Sequence, residues 1–157
     1  MNGPRNKVVV IALGSRFRGD DGVGPAVADK LNCGVSEYNI IEGCDDSMSI
    51  LNAWENVALA VVIDAAVSGS PPGTVHRLEV DTEPLPRDIA RCSSHGLGLA
   101  EAVELGKVMG RFPERLVVYA VEGQSFEPGA ALSREVAAVT AAVAGNVAAE
   151  IAAMQTV

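Results

Sequence analysis

Val8–Leu13, VVVIAL, is an unbroken apolar run that stops at Gly14. A run this short, rich in β-branched residues and closed by glycine, reads as a strand buried on both faces. Ala58–Ile63 (ALAVVI) and Leu116–Val121 (LVVYAV) share that character, and the first of them ends at Asp64. Three buried strands of this kind belong to a parallel sheet covered by helices.

The segments between them supply the helices. Gly22–Leu31 (GVGPAVADKL) contains Pro25, which is tolerated only in a first turn, so the helix starts near Val23 or Gly24. Ser47–Trp54 is a short helix with Ser47 as its N-cap. Gly98–Met109 carries Leu99, Ala102, Val103 and Val108 along one side. Ser133–Met154 is an alanine-rich terminal helix whose one weak spot is Gly145. Val35–Ile41 is a weaker strand, polar in its middle. Thr74–Val80 alternates and reads as a half-exposed edge strand, antiparallel to its neighbour. Ser68–Gly73 is turn-rich, and Thr82–Arg91, with its prolines, is loop. The order is α/β. It predicts a three-layer sandwich, with a mostly parallel twisted sheet of about five strands and helices on both faces, as one domain over residues 1–157.

Composition narrows the function. Apolar residues make up 48% of the chain and aromatics only 4%, so the core is built from Val, Leu, Ile and Ala. A net charge of −8 argues against a nucleic-acid partner, because phosphate binding needs a basic face. It suits a cation or a basic peptide, and equally simple solubility. Cys33, Cys44 and Cys92 are odd in number and form no C-x-x-C, which points to reduced thiols and not to disulfides or a zinc cluster. No apolar run reaches about 18 residues, so no membrane span is expected. The polar start, Met1 to Lys7, lacks the layout of a signal peptide, and the expected compartment is the cytoplasm.

In an open parallel sheet, ligands bind beyond the carboxyl ends of the strands. The first strand leads to Asp20 and Asp21, the ALAVVI strand to Asp64, and the late strand to Glu122; His95 precedes the Gly98–Met109 helix. Two carboxylates and an imidazole suit a borderline divalent ion such as nickel or zinc, and three protein ligands leave coordination positions open for chemistry. Each residue also has a plainer role. Asp20 and Asp21 precede a helix, where carboxylates satisfy free N–H groups; capping is the expected role of Asp20, while for Asp21 both roles stand. Asp64 follows a buried run, where a carboxylate needs a partner or an ion. His95 in a Ser-Ser-His-Gly loop also reads as a cap or a surface residue. Glu122 is expected to hydrogen-bond a neighbouring loop, and His76 to face solvent. Other chemistries fit poorly. There is no G-x-S-x-G elbow, P-loop, G-x-G-x-x-G fingerprint or H-E-x-x-H. Ser93 and Ser94 are too close along the chain to His95 to form a nucleophile–base pair, and a Cys92–His95 pair rests on spacing alone.

Three motifs carry a family resemblance. Leu13-Gly14-Ser15 with Arg18-Gly19-Asp20-Asp21-Gly22-Val23-Gly24 resembles the N-terminal signature of the [NiFe]-hydrogenase maturation proteases. Val61-Val62-Ile63-Asp64-Ala65 resembles their second motif, and Ser94-His95-Gly96-Leu97-Gly98-Leu99 their third. Order and separation agree from about Val8 to the final helix. The resemblance implies a twisted sheet sandwiched by helices. It implies an endopeptidase that removes a C-terminal extension from the hydrogenase large-subunit precursor once nickel is in place. Asp21, Asp64 and His95 fall on the metal-contact positions, with Asp21 or Asp64 as the catalytic base. The nickel arrives with the substrate, so the resting enzyme need hold none. Asp20 falls on an acidic neighbour that is not usually a ligand, and Glu122 on a recurring Glu of unsettled role. Two departures stand out. Ala12-Leu13-Gly14-Ser15 replaces Gly-x-Gly-Asn, which alters how the first loop is held. Glu42-Gly43-Cys44-Asp45 replaces an Asp-Gly-Gly pattern, in a segment that tunes substrate choice. The rival reading is a non-catalytic metal- or nucleotide-binding α/β module.

Overall fold

The computed structural model describes residues 7–31, 38–44, 46–80, 84–86 and 96–155. Five strands, β1 (Val8–Ala12), β2 (Asn39–Glu42), β3 (Leu59–Ala66), β4 (Val75–Glu79) and β5 (Arg115–Glu122), form one sheet in the order β2-β1-β3-β5-β4. The first four of these neighbours run parallel, and only β4 pairs antiparallel, against β5. The expected architecture is therefore the observed one. Every residue of β1 and β3 is buried, as unbroken apolar strands require when helices cover both faces.

Alternation along the strands divides the core into two halves. On one face Val8, Val10, Val61, Ile63 and Tyr119 meet α1 (Val23–Leu31) and the C-terminal helices. On the other, Val9, Ile11, Ala60, Val62 and Val118 meet α2 (Ser47–Trp54) and α3 (Gly96–Met109). Trp54 anchors this second half. Its indole N–H donates to the Arg111 carbonyl at 2.9 Å, and its ring meets Phe112 edge-on at 5.7 Å.

Three expectations are corrected in detail, and one feature of the terminal helix needs explanation. β3 does not end at Asp64; it continues to Ala66, because pairing with β5 runs on through Asp64–Ala120 to Ala66–Glu122. The cap of α2 is Asp46, not Ser47: its Oδ1 accepts from Ser49 N at 2.8 Å. The terminal helix is two pieces, α4 (Arg134–Ala137) and α5 (Thr140–Gln155). The break is not at Gly145, where a Cβ would meet open space, but at residues 138–139, where the Thr140 hydroxyl donates to the Ala137 carbonyl. Finally, Arg134–Met154 is long and apolar enough by composition to cross a membrane, although no run of bulky apolar residues marks it. Alanine supplies that apolarity. Val136, Val143, Val147 and Ile151 pack on the sheet, so it is the amphipathic cover of a core.

Candidate active site

Asp21 is delivered by a short turn. After β1 the chain reverses through Gly14 and Ser15 into a 3-10 turn, Gly19–Gly22, and then into α1. The turn folds Asp21 back over the end of β1, where it is buried and its Oδ2 accepts the Ser15 N–H at 2.8 Å. Gly14 makes this close approach feasible. Its φ is +104°, and a Cβ there would collide with the Asp21 carbonyl oxygen. The hold on the carboxylate is thus from main chain, so replacement of the family's Asn by Ser15 leaves this contact available.

Asp64 is delivered by the sheet. It pairs with Ala120 of β5 and lies on the strand face that carries Ala60, Val62 and Ala66, which is the α2–α3 side. It is 2% exposed, and its Oδ1 accepts the N–H of Ala65 at 2.8 Å. Two contacts bring its strand against the Asp21 loop. Leu13 N donates to Ile63 O at 2.9 Å, one residue before each of Gly14 and Asp64. A Cβ on Gly24 would stand 2.5 Å from Leu13 O and 2.8 Å from Ile63 O, so only glycine lets the start of α1 rest on this junction. Two buried acids from separate motifs therefore reach one carboxyl edge of the sheet.

His95 lies outside the described residues, as do Asp45, Ser93, Ser94, Cys92 and Cys33. The helix that follows His95 in the chain, α3, covers the sheet face on which Asp64 lies. Among the described residues, no three His, Cys, Asp or Glu side chains form a metal cluster.

Three nearby residues are built into the frame. Asp20 satisfies N–H groups, as expected, but not those of its own helix. It accepts from Gln124 N (2.7 Å), Ser125 N (3.1 Å) and Ser133 N (2.7 Å), tying the loop after β5 and the start of α4 to the Asp21 turn. Glu122 bonds a neighbouring loop, also as expected. It is 1% exposed and accepts from Ser68 N (3.0 Å) and from the Ser68 hydroxyl. His76 does not simply face solvent. Its Nε2 lies 3.1 Å from Glu122 Oε1, because the antiparallel pairing of β4 with β5 brings it beside the end of β5, a neighbour that alternation along one strand does not reveal.

One positioning side chain had no sequence signal. Arg16 bonds Asp29 Oδ1 and Oδ2, each at 2.8 Å, and Glu42 at 2.5 and 3.1 Å, so the first loop is strapped to α1 and to the end of β2. The guanidinium holds the Asp29 carboxyl below its ordinary range. The partners lie 13 and 26 residues away in sequence, and only the fold brings them together.

A family described as HycI, hydrogenase maturation protease, matches residues 25–150, a stretch that begins just after Asp21 and includes Asp64 and His95. The Hydrogenase 2 maturation protease of Escherichia coli (strain K12) is 28% identical over 137 residues, covering 85% of this chain and 83% of that one. The hydrogenase expression/formation protein HupD of Thiocapsa roseopersicina is 25% identical over 119 residues, 74% of this chain; the match spans only 54% of that protein's length. In structure, the hydrogenase maturating endopeptidase HybD from E. coli superposes with a TM-score of 0.81 at 25% identity, over 92% of this chain and 91% of that one. HybD from Thermococcus kodakarensis gives 0.73 at 25% identity, over 92% and 98%.

Proposed function

Because this chain belongs to the hydrogenase maturation protease family, we propose that it is the endopeptidase that trims the C-terminal extension of a nickel-loaded hydrogenase large-subunit precursor. What supports this reading is that Asp21 and Asp64, both buried, each lie at the carboxyl edge of the sheet. A buried acid pair is costly unless it serves a cation or a proton transfer.

In this reading the nickel belongs to the substrate. Asp21, Asp64 and His95 contact it, and two carboxylates with an imidazole suit its charge and ligand preference. The bound ion supplies Lewis-acid polarisation of the scissile carbonyl. One of the two aspartates takes a proton from the attacking water and returns it to the leaving amine as the C–N bond breaks. Recognition of the ion makes cutting conditional on nickel insertion. The acidic chain favours a basic tail on the precursor by charge complementarity.

The test is to incubate the protein with nickel-loaded and nickel-free precursor and weigh the products by mass spectrometry. Release of a C-terminal peptide from the loaded form alone is expected. Equal cutting of both forms would remove the nickel-sensing role. Tight binding with no cutting would identify a non-catalytic metal-binding module instead.

A further inference from the structure

Glu122 is a buried acid that the chemistry above leaves unused. It is 1% exposed and ends β5. Its carboxylate accepts from Ser68 N and from the Ser68 hydroxyl, and Oε1 lies 3.1 Å from His76 Nε2. The strand ends around it are laced together. Gly73 N donates to Glu122 O at 2.8 Å, Glu122 N to Thr74 O at 2.9 Å, and Gly123 N to Ala66 O at 2.9 Å. A carboxylate kept this far from water needs such donors. The ring that it holds is less sealed: the His76 side chain is 25% exposed.

Register fixes where that ring stands. His76 pairs with Ala120, and Ala120 pairs with Asp64, so the three form one row across β4, β5 and β3. Residues paired in this way share a face of the sheet, and this is the face that α3 covers. Glu122 and Ala66 form the next row. Between the imidazole and Asp64 the sheet presents only the methyl groups of Ala120 and Ala66, against which Leu78 and Leu85 pack. Strands lie about 4.8 Å apart, so His76 and Asp64 stand about 10 Å apart. A hydrogen bond from each side spans about 3 Å. The remaining width, about 4 Å, is close to that of one extended main chain.

We propose that His76 is a substrate-contacting residue of this site: Glu122 fixes Nε2, and Nδ1 hydrogen-bonds the main chain of the precursor segment that crosses Ala120 beside Asp64. This rests on the function proposed above and adds on which side of Asp64 the scissile segment lies. Among the described residues Nδ1 has no hydrogen-bond partner. In the neutral ring a carboxylate at Nε2 keeps the proton there and turns a lone pair outward on Nδ1, which accepts an N–H. A main-chain N–H is the donor that any peptide segment offers. The contact therefore aligns the segment without reading its side chains, and alignment of the scissile bond raises the rate.

The chain has two histidines, His76 and His95. Labelling histidine with nitrogen-15 thus gives two imidazole signal sets, and His76→Gln identifies which is which. Gln places an amide N–H where Nε2 was, so it keeps the link to Glu122 and removes the group at Nδ1. Nickel-free precursor is titrated into the labelled wild type, and cutting of nickel-loaded precursor is timed for wild type and His76→Gln. The His76 Nδ1 resonance should move on binding. His76→Gln should keep the wild-type urea midpoint while kcat/KM falls about tenfold. An unmoved Nδ1 resonance, or full activity in His76→Gln, overturns the contact, and wild-type cutting of loaded precursor then still upholds the function. A moved resonance with no cutting by the wild type upholds the contact and removes the function. A fall in kcat/KM that only follows a lowered urea midpoint, with Nδ1 unmoved, makes His76 purely structural and overturns the proposal.

Discussion

Ser15 donates its main-chain N–H to Asp21 Oδ2 across 2.8 Å, so the backbone of the loop steers the carboxylate that closes it. The contact depends on a reversal that Gly14 makes at φ +104°. A side chain at position 14 would be strained in that conformation and would strike the Asp21 carbonyl. Gly14→Ala should lower stability by about 2–3 kcal/mol and abolish processing. Urea unfolding beside a precursor-cleavage gel checks both, and an unchanged midpoint would refute the strain.

Asp64→Asn keeps the volume of the side chain and an oxygen for the Ala65 N–H, so the fold should persist. What it removes is charge. Cleavage of nickel-loaded precursor should fall by about a hundredfold or more. Full activity in this variant would show that the site has been misplaced.

Asp20→Ala should act differently. It removes the acceptor from the N–H groups of Gln124, Ser125 and Ser133. Unfolding should be easier by about 2–5 kcal/mol, the cost of stranding several buried donors. Hydrogen exchange gives the sharper check: those amides should lose protection while the β3–β5 amides keep theirs until global unfolding.

Acid should expose a second, purely structural group. Glu79 accepts from Arg77 at 3.0 Å and from Arg115 at 2.9 Å, and these hydrogen bonds hold its carboxyl below the ordinary glutamate range. A depressed folded-state value stabilises the fold above the unfolded value and loses that contribution as pH falls through the folded one. The stability gap between wild type and Glu79→Gln should be full at neutral pH and shrink at and below the ordinary glutamate range. The pair is partly exposed, so the gap is small and salt-sensitive. A gap that widens in acid would contradict this assignment.

Much of this was legible before any coordinates. VVVIAL, ALAVVI and LVVYAV are strands because only a sheet covered on both faces can bury unbroken apolar runs so short. Pro25 marked the first turn of α1, and the alternation at residues 74–80 marked the antiparallel edge. Less legible were features that arise from long-range pairing. β3 outran Asp64 because β5 continued to offer partners, and α4 parted from α5 where no glycine or proline announced it.

From the chain alone came the fold class, the acidic character of the carboxyl edge and the nomination of Asp21 and Asp64. Periodicity and local sterics are encoded residue by residue, and both are readable in order. Tertiary structure alone decided which N–H groups each neighbouring acid holds. Asp20 and Asp21 are neighbours of one type, yet the first reaches across to residues 124–133 while the second turns back on Ser15. It also decided that Phe17 stays in water on a fastened loop. Hydrogen-bond partners a hundred residues apart leave no local trace, because the contact exists only once the sheet has brought its loops to a common rim.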